Sequence, residues 1–162
     1  MKIVVLFCLI FLTNILITGC ENSEGLLDPT YFFGKFHGIT FTDDQGNIIK
    51  EDPNDWHYVT ESYPPFPPTS FQFFPAYPNP IVVSIITFSY CLSEDAHIVI
   101  NIESENGIVK NLVNDYKFTG NYSITYNLTD NNNQLLQPGV YRCILEVNNK
   151  QYYGDFWFKE EL

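Results

Sequence analysis

From residue 82 onward, apolar and polar residues alternate in runs of strand length. Six such runs, residues 82–92, 96–104, 108–113, 122–127, 139–148 and 151–159, are separated by the turn-forming clusters Ser93-Glu94-Asp95, Glu105-Asn106-Gly107, Thr119-Gly120-Asn121, Asp130-Asn131-Asn132-Asn133 and Asn148-Asn149-Lys150. A strand turns successive side chains to opposite faces, so a period of two marks a surface buried on one side. No stretch carries the 3.6-residue period of an amphipathic helix. Strands at this spacing predict an all-β chain folded as an antiparallel β-sandwich, and about 90 residues suffice for such a unit to fold alone.

Upstream the pattern changes. Nine of the ten prolines lie between Pro29 and Pro80. Residues 35–42 alternate, Asp43-Asp44-Gln45-Gly46-Asn47 supplies turn residues, and Ile48-Ile49 returns, which predicts a small β-hairpin. A lone hairpin is marginal in water, so the following sandwich is its expected platform. Asp52-Pro53-Asn54-Asp55-Trp56-His57-Tyr58 reads as a turn into a short strand, and Pro64-Pro65-Phe66-Pro67-Pro68 as an extended strap. Phe74-Pro75-Ala76-Tyr77-Pro78-Asn79-Pro80 then leads into the sandwich, with its prolines expected to keep it extended and bar an edge partner. Residues 28–70 are thus read as an acidic, Pro- and aromatic-rich segment and residues 71–162 as the sandwich.

The N-terminus adds a destination. Met1-Lys2 precedes an apolar run over residues 3–17, interrupted by Thr13 and Asn14. It is too short to span a bilayer and reads as the h-region of a signal peptide, residues 1–19. It ends in Ile17-Thr18-Gly19-Cys20, which resembles the bacterial lipobox. That resemblance implies acylation of Cys20 and cleavage before it, so that lipid chains hold the protein to a membrane, with residues 20–27 as tether. The implied location is a bacterial cell envelope, as an outer-membrane lipoprotein. Removing the leader takes only Lys2 from the charges, leaving seven basic against nineteen acidic side chains, a net charge of −12. Nucleic acid, which needs a basic face, is a poor partner for it.

The order of features across residues 71–159 is itself recognisable. Tyr77-Pro78-Asn79-Pro80, Ile86-Thr87-Phe88-Ser89-Tyr90-Cys91-Leu92, Asn106-Gly107-Ile108-Val109, Gly120, Tyr122-Ser123-Ile124-Thr125-Tyr126, Thr129-Asp130 and Leu136-Gln137-Pro138-Gly139-Val140-Tyr141 follow one another. The series resembles the Ig-like domain shared by the flagellar hook-capping protein and the type A C-terminal sorting tails of type IX secretion cargo. It implies an Ig-like or fibronectin-like sandwich in which Pro78, Asn79, Pro80, Gly107, Gly139 and Tyr141 are fold residues: Gly107 for a positive φ, and Pro138-Gly139 for the turn into the strand of Tyr141. Sorting tails of that family usually close on basic residues, whereas this chain closes on Lys159-Glu160-Glu161-Leu162. A sorting-tail role is therefore the alternative to an anchored module.

The sequence offers little reactive chemistry. His37, His57 and His97 are scattered, and none sits at metal-ligand spacing. Phosphate-binding loops, dinucleotide fingerprints and serine-nucleophile elbows are absent. The turns 43–47 and 130–133 carry oxygen ligands without fitting a calcium loop. No catalytic residue, metal or cofactor is expected. Cys91 and Cys143 remain after Cys8 and Cys20 are accounted for. Strand alternation turns Cys91 outward and Cys143 inward, which argues against a disulfide and for a buried Cys143. Trp56, His57 and Tyr58 form the candidate binding cluster. The surrounding aromatics either seal the upstream segment onto the sandwich or stack on sugars or a partner's side chains. The expectation is a non-enzymatic module that binds protein or polysaccharide of the envelope; an enzyme built from the acids and His57 of the upstream segment is the remaining alternative.

Overall fold

The computed structural model describes residues 38–57 and 67–159. The leader, Cys20, the tether, His37, Tyr58, most of the proline strap and the last three residues lie outside them. Among the described residues nine strands follow in order: β1 Phe41–Thr42, β2 Ile48–Lys50, β3 Gln72–Tyr77, β4 Ile85–Leu92, β5 Ala96–Ser104, β6 Gly107–Lys117, β7 Gly120–Asn127, β8 Gly139–Val147 and β9 Lys150–Phe158. Strands β1 and β2 form the expected hairpin. The others make a three-stranded sheet, β3-β4-β7, and a four-stranded sheet, β6-β5-β8-β9, with every pairing antiparallel. No helix occurs among the described residues.

Alternation builds the core. Strand β5 turns Ala96, Ile98, Ile100 and Ile102 inward, β4 contributes Ile86, Phe88, Tyr90 and Leu92, and β8 contributes Tyr141, Cys143, Leu145 and Val147. These faces meet in one buried cluster, the arrangement of a β-sandwich. Each fully buried side chain of the Ile, Leu or Phe class stabilises it by roughly 1.5–3 kcal/mol.

Two expectations need correction. The lead-in is itself a strand: β3 pairs with β4, Phe73 opposite Tyr90 and Phe74 opposite Ser89. Its Pro75 is accommodated where the register shifts between Phe74 and Tyr77, at a sheet edge, where a missing N–H costs no ladder bond. Strand β6 runs four residues past its expected end, to Lys117. Its second half, Asn114-Asp115-Tyr116, is exposed and unpatterned because it lies at a sheet edge and buries neither face.

After Tyr77 the chain changes sheets. The Tyr77-Pro78 and Asn79-Pro80 peptide bonds are cis. Asn79 then bridges Thr42 antiparallel, and Ile81 bridges Phe158 in parallel. This crossing brings the upstream hairpin and the edge of β9 against Asn79. Ile39 and Phe41 pack with Val140 and Trp157 in a second small cluster.

Candidate functional site

The buried polar groups concentrate where residues 38–57 meet β9. The outward backbone groups of this edge strand are matched one after another. Trp56 N donates to Tyr153 O (3.1 Å), and Asp155 N donates to Asp55 Oδ1 (2.7 Å). Asn79 Nδ2 donates to Asp155 O (3.2 Å), while Trp157 N donates to Asn79 Oδ1 (3.0 Å). Ile81 N donates to Trp157 O and Lys159 N to Ile81 O, both at 2.8 Å. From Tyr153 to Lys159 this edge is sealed by its own chain, with the Asn79 side-chain amide standing in for a strand's peptide group. An unsealed edge invites another strand to pair with it.

Asn79 is fully buried and saturated. Its second Nδ2 hydrogen goes to Thr40 O (2.8 Å), and its backbone exchanges bonds with Thr42 (2.8 and 3.2 Å). Two carbonyls and one N–H meet the side chain, so only an amide of this orientation satisfies all three.

Asp55 and Asp155 lie beside it, both buried. Asp55 accepts from Thr40 N (2.9 Å) as well as Asp155 N. Burial raises its carboxyl from 3.8 to about 7, against the two backbone N–H bonds that pull it down. Asp155 receives a bidentate pair from Arg142, its cross-strand neighbour, with Nε to Oδ1 at 2.7 Å and Nη2 to Oδ2 at 2.8 Å. The guanidinium also lies 4.2 Å from the Tyr153 ring centroid. These acids are committed to backbone donors and to one arginine.

Trp56, expected in a binding cluster, turns inward instead. It is 7% exposed, with its ring 4.9 Å from Phe73 in an edge-on contact. A Cβ on Gly154 would stand 2.0 Å from the indole Cδ2, so the missing side chain of Gly154 is the space the ring occupies. The backbone of Trp56 sits at φ 58°, a strained value for a bulky residue. The packed indole and the Tyr153 bond hold it there. Its Nε1 is buried without a hydrogen-bond partner.

His57 faces the other way and is exposed. Its backbone bridges Phe73, and its ring lies 5.9 Å from Phe71 and 4.9 Å from Tyr152, themselves 4.3 Å apart. This aromatic ledge borders a shallow, open hollow of about 160 Å³ at the end of the sandwich where β4 turns into β5 and β8 into β9.

The remaining expected residues fall into structural places. Gly107 has φ +112° in the β5–β6 turn, as its motif requires. Gly139 opens β8 outside the left-handed region, and Tyr141, buried, donates its hydroxyl to Gln137 O at 2.6 Å. The turn acids are spent locally: Asp43 accepts from Gln45 N, Asn47 N and Asn47 Nδ2, and Asp130 from Asn132 N and Gln134 N. Among the described residues no three His, Cys, Asp or Glu side chains are grouped to hold a metal ion. Cys91 and Cys143 are both free. Cys91 does face away from the core, but it is buried rather than exposed, its thiol donating to Ser70 O at 3.4 Å. Burial raises both thiols.

No family model, characterised protein or solved structure matches the chain. Asp155, Arg142, Gly154, Phe71 and Tyr152 take places at this junction that the sequence pattern does not mark. Their roles depend on partners far along the chain, and no local spacing signals them.

Proposed function

We propose that the chain is a non-enzymatic lipoprotein of a bacterial cell envelope, whose Ig-like or fibronectin-like sandwich serves as a binding or scaffolding module for envelope protein or polysaccharide. The observation that carries the module reading is the sealed edge of β9: of the polar side chains gathered there, Asp55 and Asn79 are consumed in holding the upstream segment to the sandwich, and Arg142 and Asp155 in pairing with each other across β8 and β9. The Ig-like reading draws support from the division of strands into β3-β4-β7 and β6-β5-β8-β9. It also draws on Tyr141, which lies near the start of β8, two residues before Cys143, and whose hydroxyl bonds back to Gln137 in the manner of a tyrosine corner. Ile17-Thr18-Gly19-Cys20 supports the anchor.

The test is metabolic labelling with an alkyne fatty acid in a bacterial host. The wild type should take the label and Cys20→Ala should not; equal labelling of the two removes the anchor. The second reading, a type IX sorting tail, is favoured by the ordered motif series from Tyr77 to Tyr141. A detachable tail should hold its own core, whereas here Trp56 from upstream lies inside it. Residues 71–162 fused behind a signal peptide and a fluorescent reporter should accordingly leave the reporter in the periplasm, and export to the surface would favour the tail.

A further inference from the structure

We propose that the end of the sandwich carrying the β4–β5 and β8–β9 turns binds a neutral sugar residue of a polysaccharide, seated in the hollow between the Phe71–Tyr152 ring pair and the side chains of Glu94, Asn148 and Lys150. The proposal rests on the binding-module reading and names its ligand class. A hexose offers an apolar C–H face and a rim of hydroxyls, and the hollow offers the complement. The two rings, with His57 beside them, form the stacking surface, and Leu92 and Val147 line the hollow from the core. Glu94 accepts, Lys150 donates and Asn148 does both, so hydroxyls of either orientation find partners. The opposite charges of Glu94 and Lys150 favour a neutral ligand. A volume of about 160 Å³ is smaller than the usual site of a drug-sized ligand, which limits the occupant to one small residue of a longer chain.

The polar rim is held in place before any ligand arrives. Asn148 Nδ2 donates to Glu94 Oε1 at 2.8 Å, tying the β8–β9 turn to the β4–β5 turn. Next to it, Asp95 Oδ1 accepts from Thr119 N (2.8 Å) and Thr119 Oγ1 (3.1 Å), tying that turn to the β6–β7 connection. Asn148 and Asn149 both have positive φ, 49° and 61°, as a tight hairpin turn demands. A fixed site loses little side-chain entropy on binding. On the far side of Asp95 the end of β6 exposes Tyr116 and the β6–β7 connection Phe118, 54% and 68% accessible, with rings 5.8 Å apart. A polymer running across this end meets a second stacking surface there. A protein ligand would need a deep apolar pocket for an anchoring side chain, and this hollow is shallow with as many polar as apolar groups on its wall.

The test uses the full chain in phosphatidylcholine nanodiscs, titrated calorimetrically with defined neutral oligosaccharides of glucose, mannose, galactose and N-acetylglucosamine. At least one series should bind, more tightly as the oligomer lengthens. Tyr152→Ala should weaken that binding about tenfold. Because Tyr152 also packs on the core, the exposed Glu94→Gln and Lys150→Ala are measured beside it and should each weaken binding several-fold, with Ser123→Ala on the other sheet leaving it unchanged. No binding by any series, or binding that none of the three substitutions weakens, overturns the proposal. So does capture of an apolar peptide in the hollow in place of sugars. Fatty-acid labelling of the same preparation separates the two readings: a labelled chain that binds no sugar sinks the sugar site alone, and an unlabelled chain that binds sugar sinks the anchor alone.

Discussion

Replacing Asn79 by aspartate changes one NH₂ into an oxygen and leaves shape nearly untouched, so the effect isolates hydrogen bonding. The native amide donates to Thr40 O at 2.8 Å and to Asp155 O at 3.2 Å, and accepts from Trp157 N at 3.0 Å, at a site with no solvent exposure. After Asn79→Asp the bond from Trp157 survives, while the new oxygen confronts two buried carbonyls. Leaving a buried polar group unsatisfied costs about 1–3 kcal/mol, so the two together cost about 2–6 kcal/mol. That is a large part of the 5–15 kcal/mol by which domains are ordinarily stable. Repulsion of a carboxylate at such a site favours its protonated form, which regains one donor. The folded-state pKa of the introduced carboxyl is therefore raised, and the deficit should shrink as pH falls through it. Urea unfolding followed by tryptophan fluorescence at several pH values reads both quantities, with a constant slope showing that stability rather than compactness changed. A loss below about 1 kcal/mol at neutral pH, or one that grows on acidification, would refute the assignment of Asn79 as the clamp of the β9 edge.

Two further substitutions probe the same junction. Gly154→Ala places a methyl 2.0 Å from the Trp56 indole and should cost about 3 kcal/mol or more; combined with Trp56→Ala the loss should be clearly less than the sum, and strict additivity would show that the two residues do not share that space. The Asp55 carboxyl, raised by burial from 3.8 to about 7, binds its proton more tightly in the folded chain than in the unfolded one. The stability it contributes is present below about pH 4 and lost as pH rises through about 7, by up to roughly 4 kcal/mol. Comparison of urea midpoints between pH 4.5 and 8 should show a steeper fall in the wild type than in Asp55→Asn, and parallel curves would contradict the buried placement.

Much of the sandwich was legible because its strands bury one face. Strand β5 follows the alternation of Ala96, Ile98, Ile100 and Ile102 so closely that its expected and observed limits coincide. Strand β3 was not legible, because Pro75 and the neighbouring prolines argue against a strand unless its edge position is already known. For Cys91 the alternation gave the face correctly. What covers that face is the Ser70 carbonyl, twenty-one residues away, and periodicity cannot supply it. The junction around Asn79 was the least accessible. The partners of that one side chain lie at Thr40, Asp155 and Trp157, and Trp56 finds its space at Gly154, separations that leave no trace in a local pattern. The aromatic ledge was half visible: His57 was named, while Phe71 and Tyr152 join it only once β3 and β9 lie beside each other.

The central claim is that the upstream segment and the sandwich form one module, and chain truncation tests it most directly. A chain starting at Phe71 lacks Trp56, Thr40 and Asp55, which opens a tryptophan-sized void in the core and leaves Asp155 N and one hydrogen of the Asn79 amide without their partners. Loss of the tryptophan alone is worth about 3–5 kcal/mol. Thermal unfolding followed by circular dichroism should show one cooperative transition for the chain starting at residue 28 and a transition lowered by at least about 15 °C, or none, for the chain starting at Phe71. Equal midpoints for the two would contradict the claim and mark residues 71–162 as an independent tail.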